Sequence, residues 1–133
     1  MTVYLDTNIV IYAVEKHPLF GPKSQVRLGI AQAAGDSLML SDLTRMESLV
    51  GPLKSGNAAL ANAFRTFFTP TNVQVVAITG VVCDRAASIR ATFNFKALDA
   101  LHLAAAIEHG ADVFLTADAR LNSFTGLTIE ILK

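Results

Sequence analysis

Apolar residues along this chain alternate between short continuous runs and longer stretches at helical spacing. Thr2 to Leu5 is β-branched and aromatic, and it stops at Asp6-Thr7-Asn8 before a second apolar segment, Ile9 to Val14. That order reads as strand, polar turn, helix. Pro18, Gly21 and Pro22 interrupt next, and Pro22 suits the first turn of a helix running toward Gly35. Ser37 to Ser41, carrying Leu38, Met39 and Leu40, predicts a second buried strand. Ser41-Asp42 then caps a helix through about Val50, which Gly51-Pro52 is expected to stop. Asn57 to Phe68 places Leu60, Phe64, Phe67 and Phe68 on one side of a helix. Val73 to Ile78 is the third strand, Thr79 caps a helix from about Val81 to Phe93, and Lys96 to His109 is a helix apolar nearly all round, closed by Gly110. Val113 to Leu115 and Thr128 to Leu132 are the last strands, with a turn over Asp118 to Leu121 between them.

Roughly five strands separated by helical segments of about ten or more residues predict the α/β class, a mainly parallel sheet with helices on both faces. The 133 residues suit one compact domain spanning 1–133, and no repeat, low-complexity tract or linker divides them.

Composition changes this picture in two ways. Apolar residues make up 52% of the chain and eight glycines add to them, which exceeds the roughly 45–50% of a soluble domain counted the same way. A homodimer face or a groove for a partner would use that surplus. Eleven basic and eleven acidic side chains cancel, so any contact with nucleic acid must be local rather than the work of a global positive field. The single cysteine, Cys83, reads as a small buried apolar residue and fits a reducing compartment, the cytoplasm. No secretion signal is expected, and no run approaches the roughly 18 apolar residues of a membrane span.

The chemistry lies in the acids. Ligands of open parallel sheets bind beyond the carboxyl ends of the strands. Asp6 directly follows the first strand, Glu47 lies on the helix after the second, and Asp118 follows the fourth. Asp99 sits among Ala97, Leu98, Ala100 and Leu101 near the start of the long apolar helix, where an isolated carboxylate is costly. Carboxylates crowded into one cleft repel each other, and a divalent cation reverses that balance. Magnesium fits an all-oxygen set, with manganese as a substitute. Zinc does not, because His17, His102 and His109 show no ligand-like spacing with Cys83.

Four segments carry a resemblance. Tyr4-Leu5-Asp6-Thr7-Asn8, the stretch Ser41-Asp42-Leu43-Thr44-Arg45-Met46-Glu47, Leu98-Asp99-Ala100-Leu101-His102-Leu103-Ala104, and Gly110 through Asp118 together look like a PIN domain. Within that family the whole chain resembles the toxin of a VapBC-type toxin–antitoxin pair. The resemblance implies a PIN-like three-layer α/β/α fold and a cleft holding one or two magnesium ions on Asp6, Glu47, Asp99 and Asp118. It also implies hydrolysis of RNA phosphodiesters to 5′-phosphate and 3′-hydroxyl ends, with a VapB-type antitoxin as partner. Asp6 and Asp99 are the foremost ligand candidates, and Asn8 and Thr116 are supporting residues. Arg45, Lys54, Arg85 and Arg90 are weaker candidates for phosphate contacts.

Each residue also has a plainer reading. Asp6 serves equally well as a helix cap, Glu47 as a surface partner of Lys54 or Arg45, and Asp118 and Asp112 as turn residues. Asp99 near Lys96 could cap its helix. His102, one turn after Asp99, reads as a hydrogen-bonded core residue rather than an acid–base catalyst. No phosphate-binding Gly-x-x-x-x-Gly-Lys-Ser/Thr loop or Gly-x-Gly-x-x-Gly fingerprint occurs. A phosphatase using Asp6 remains a distant alternative, as do an RNA-processing nuclease without antitoxin and a non-catalytic binding module.

Overall fold

The computed structural model describes residues 1–133. The chain runs β1 (Thr2–Leu5), α1 (Thr7–Glu15), α2 (Phe20–Ala34), β2 (Ser37–Ser41), α3 (Asp42–Ser55) and α4 (Ala58–Phe67). It continues through β3 (Val73–Val76), α5 (Gly80–Phe93), α6 (Ala97–Glu108), β4 (Val113–Thr116), a 3-10 turn (Ala119–Ser123) and β5 (Thr128–Ile131).

The five strands form one sheet in the order β3-β2-β1-β4-β5, and every pair is parallel. The pleat sends alternate residues of β1 to opposite faces. Val3 and Leu5 join Leu38, Leu40, Phe64 and Leu115 under α1, α2 and α4. Tyr4 points the other way with Met39 and Phe114, against α5 and α6. The result is an α/β/α sandwich in which β1 is central and its Val3, Tyr4 and Leu5 are fully buried.

The chain builds outward from β1 to β2 and β3, then returns to place β4 on the other side of β1. That reversal makes the carboxyl ends of β1 and β4 a topological switch point, the position where open α/β sheets bind ligands.

One expected boundary is wrong. Helix α3 continues through Gly51-Pro52 to Ser55, with Pro52 buried inside it. The carbonyl of Pro52 accepts from Asn57 N (2.9 Å) and Ser55 Oγ (3.3 Å), and the helix ends instead at Gly56, which takes the left-handed conformation at φ 68°. A proline removes one donor, but burial and an already extended helix outweigh that loss here. Cys83 is also exposed rather than buried, because α5 turns that side of itself to solvent. No helix is long and apolar enough to cross a membrane.

Candidate functional site

Asp6 occupies the junction between β1 and α1 and is only 6% exposed. Its Oδ1 accepts from Thr7 N at 2.9 Å, so the capping role is real. Its other oxygen does something a cap does not require: Oδ2 accepts from Thr116 Oγ1 (2.7 Å) and from Asn8 Nδ2 (3.3 Å). Asn8 also accepts from Ala117 N at 3.2 Å, which ties the exit of β4 to the first turn of α1. Thr116, fully buried, accepts from Asp118 N at 3.0 Å. The supporting residues Asn8 and Thr116 therefore bridge the carboxyl ends of the two adjacent strands β1 and β4.

Asp118 caps the 3-10 turn through Arg120 N (3.0 Å) and grips the Arg120 guanidinium, with Nη2 at 2.5 Å. The same Nη2 lies 3.9 Å from Asp99 Oδ2. Asp99 is the third residue of α6, and its only charged partner at this range is that shared arginine.

Glu47 approaches from α3 on the opposite face of the sheet. Its Oε1 accepts from Thr7 Oγ1 at 2.8 Å and from His102 Nε2 at 2.6 Å. His102 is 1% exposed, and its Nδ1 lies 2.7 Å from the Tyr4 hydroxyl, which is hydrogen-bonded to Ser41 Oγ at 2.9 Å. The plainer reading of Glu47, a surface pair with Lys54 or Arg45, is replaced by these bonds to Thr7 and His102.

Electrostatics link these groups. Burial raises the pKa of Asp6 against the lowering effect of His102, Thr116 and Thr7, and Glu47 adds to the rise. Burial also raises Asp99, reinforced by the charges of Asp6 and Asp118 and only partly offset by Arg120 and His102. Burial pushes Glu47 up, but its bond to His102, the charge of that ring and the Thr7 hydroxyl outweigh it and hold Glu47 low. Hydrogen bonds from Arg120 hold Asp118 low, helped by Lys96.

Charge coupling runs from Glu47 to Asp6, from Asp6 to Asp99 and from Asp118 to Asp99, yet no three acidic or histidine side chains converge into a closed ligand set. Three of the acids instead have protein partners of their own: Asp118 bonds Arg120, Glu47 bonds His102, and Asp6 bonds Thr116 and Asn8. The donor set of the four acids is entirely oxygen, and His102 and Arg120 only partly offset burial and repulsion at Asp6 and Asp99. That chemistry suits a hard divalent cation.

Three of the four basic residues named as weaker candidates for phosphate contacts have protein partners other than the four acids. Arg45 stacks over Phe68 at 5.1 Å, Arg85 pairs with Glu108, and Arg90 Nε donates to Phe95 O at 3.0 Å. None of them, nor Lys54, forms an ion pair with the four acids. The cations that do matter electrostatically, Arg120 and Lys96, had an available signal: each lies within three residues of a candidate acid. His102 combines the expected core role with a place in the site. Asp112 does act as a turn residue, accepting from Thr2 N at 2.7 Å.

Residues 3–127 match the family model described as PIN domain. No curated protein sequence matches the chain significantly. Among solved structures, the chain is similar to VapBC2 from Rickettsia felis bound to a DNA fragment from their promoter, at TM-score 0.82 and 19% identity over 100% of both chains. It is similar to a toxin–antitoxin complex from Klebsiella pneumoniae, at TM-score 0.77 and 20% identity over 98% of each chain. It also resembles Mycobacterium tuberculosis VapC20, a sarcin–ricin loop cleaving toxin, at TM-score 0.68 and 15% identity over 93% of this chain and 90% of that one. At these identities the structural likeness establishes a common fold, while the match over 3–127 establishes the family. The chain belongs to the PIN-domain family, a family of nucleases.

Proposed function

We propose that this protein is a magnesium-dependent endoribonuclease whose site is Asp6, Glu47, Asp99 and Asp118. The observation that carries this reading is geometric: Asp6 lies buried at the switch point between β1 and β4 of a PIN fold, and one Arg120 nitrogen reaches both Asp118 at 2.5 Å and Asp99 at 3.9 Å, while burial and the charges of Asp6 and Asp118 raise the pKa of Asp99. Acids held together against repulsion give up stability that a bound dication returns. When bound, the metal supplies an activated water and stabilises charge on the scissile phosphate. Asp6, Asp99, Glu47 and Asp118 would hold it, with Thr116 and Asn8 keeping Asp6 in place. Manganese is the expected substitute.

The toxin role in a VapBC-type pair is part of the same proposal. It draws on the likeness to toxin–antitoxin complexes and on unpartnered apolar side chains. Met46, Val50 and Leu53 form one exposed stripe along α3, at about half to two-thirds exposure. A VapB-type antitoxin laying an apolar segment on the protein and directing an arginine toward the acids would mimic what Arg120 does. A homodimer would use part of the remaining apolar surface.

The test is cleavage of a structured RNA with magnesium and with chelator, comparing the wild type with D6N and D99N. Magnesium-dependent cutting that falls about 100-fold or more in either variant, with the fold retained, is the expected result. Undiminished cutting by both variants rejects the site. Binding of RNA without any cleavage by the wild type would favour the non-catalytic alternative.

A further inference from the structure

We propose that His102 is a positioning residue for Glu47, clamping one carboxylate oxygen so that the other stays free of protein donors and available to a cation. The inference rests on the reading of Glu47 as a metal ligand.

A glutamate on a half-exposed helix face ordinarily samples many rotamers, and ordering it on binding costs affinity. Glu47 is already ordered. Oε1 receives His102 Nε2 at 2.6 Å from α6 and the Thr7 hydroxyl at 2.8 Å from α1, while no protein group bonds Oε2. A carboxylate only accepts, so Nε2 donates.

The ring that makes this clamp cannot swing. It is 1% exposed, and the Tyr4 hydroxyl holds its far nitrogen at 2.7 Å. Tyr4 in turn is hydrogen-bonded to Ser41, which is the residue preceding α3 and therefore sits at the root of the helix that carries Glu47. The polar chain Ser41, Tyr4, His102, Glu47 closes on itself through α3, across both helical layers and the central strand. A histidine serving only as core filler needs no bond to a half-exposed carboxylate. Ring orientation by an outer hydrogen bond is how ligands of metal sites are commonly held, and losing such a partner typically costs about 10- to 100-fold in metal affinity.

The experiment measures Mn2+ affinity by titration calorimetry with the metal alone, on the full chain. His102→Asn keeps a group near Tyr4 but withdraws the donor from Glu47, whereas His102→Gln carries an amide to the place of Nε2. H102N is expected to weaken Mn2+ about tenfold and H102Q less than about threefold. In a Glu47→Ala background, H102N should cause no further loss, since the oxygen it positions is gone. Wild-type affinity in H102N, or an equal tenfold loss with and without Glu47, overturns the proposal. Should H102N fail to fold, Tyr4→Phe removes one hydroxyl from the clamp; binding about threefold weaker supports the role and unchanged binding rejects it. Asp99→Asn separates the two levels of argument. If D99N binds Mn2+ like the wild type, the metal site and this inference fall together; if D99N loses binding and H102N does not, only the role of His102 falls.

Discussion

Replacing Asp99 by Asn should make the protein more stable without metal and unable to gain stability from it. Asp6 and Asp118 both push against Asp99, and burial adds to the strain. Each like-charge neighbour in a cleft open to solvent is worth about 1 kcal/mol after screening. Two effects oppose this. Arg120, 3.9 Å away and 64% exposed, returns only a small, solvent-screened part of this, and the amino-terminal turn of α6 favours a negative charge at its third residue by about 0.5 kcal/mol. The balance is about 1 kcal/mol in favour of Asn, or about 3–5 °C in melting temperature for a domain of this size.

The pH dependence has a definite sign. A carboxyl whose folded pKa is raised binds protons more tightly in the folded state, so the wild type loses stability as pH climbs from 3.8 through the raised value. The advantage of D99N is therefore absent below pH 3.8 and complete near neutrality. Magnesium inverts the order: at 100 times its Kd a site-specific ion stabilises the wild type by about 2.7 kcal/mol, and D99N gains little of this. Thermal melts followed by circular dichroism, in chelator and across a magnesium series, test both halves. A lower metal-free melting temperature in D99N, or an equal magnesium gain in both proteins, refutes the reasoning.

Thr116→Val should lower stability by about 1–3 kcal/mol in urea titrations, because it strips a donor at 2.7 Å from buried Asp6 and the acceptor of Asp118 N, and it should weaken Mg2+ binding as well. Arg120→Ala should tighten Mg2+ a few-fold in calorimetry, since an entering cation no longer displaces a guanidinium from Asp118 and Asp99; weaker binding would show that Arg120 helps to shape the site. Metal affinity should fall as pH drops through the raised values of Asp6 and Asp99, where protons compete with the ion, and only at lower pH should Asp118 and Glu47 add to the loss; an affinity flat through the first window would mean that Asp6 and Asp99 do not bind the ion.

The order of strands and helices is readable because each signal is local: a β-branched and aromatic run for β1, a short apolar run between serines for β2, Thr79 before α5, glycines after α2 and α6. Asp6 and Asp118 were equally accessible, since each follows a strand and a parallel sheet dictates where such residues go. Pro52 misled because a local rule about helix breaking met a helix whose neighbours bury that proline. The link between Glu47 and His102 lies beyond any such rule. The two belong to α3 and α6, in opposite layers, and meet only because both reach the carboxyl edge of β1, where Tyr4 and Thr7 complete the circuit. Spacing along α6 shows that His102 shares a face with Asp99, but not which residue it will meet from the other side of the sheet. There is a chemical reason for this asymmetry. A hard cation requires oxygen anions, so its ligands announce themselves as acids in the sequence. The donor that orients such an acid is interchangeable among histidine, hydroxyl, amide and guanidinium, so only the fold identifies it.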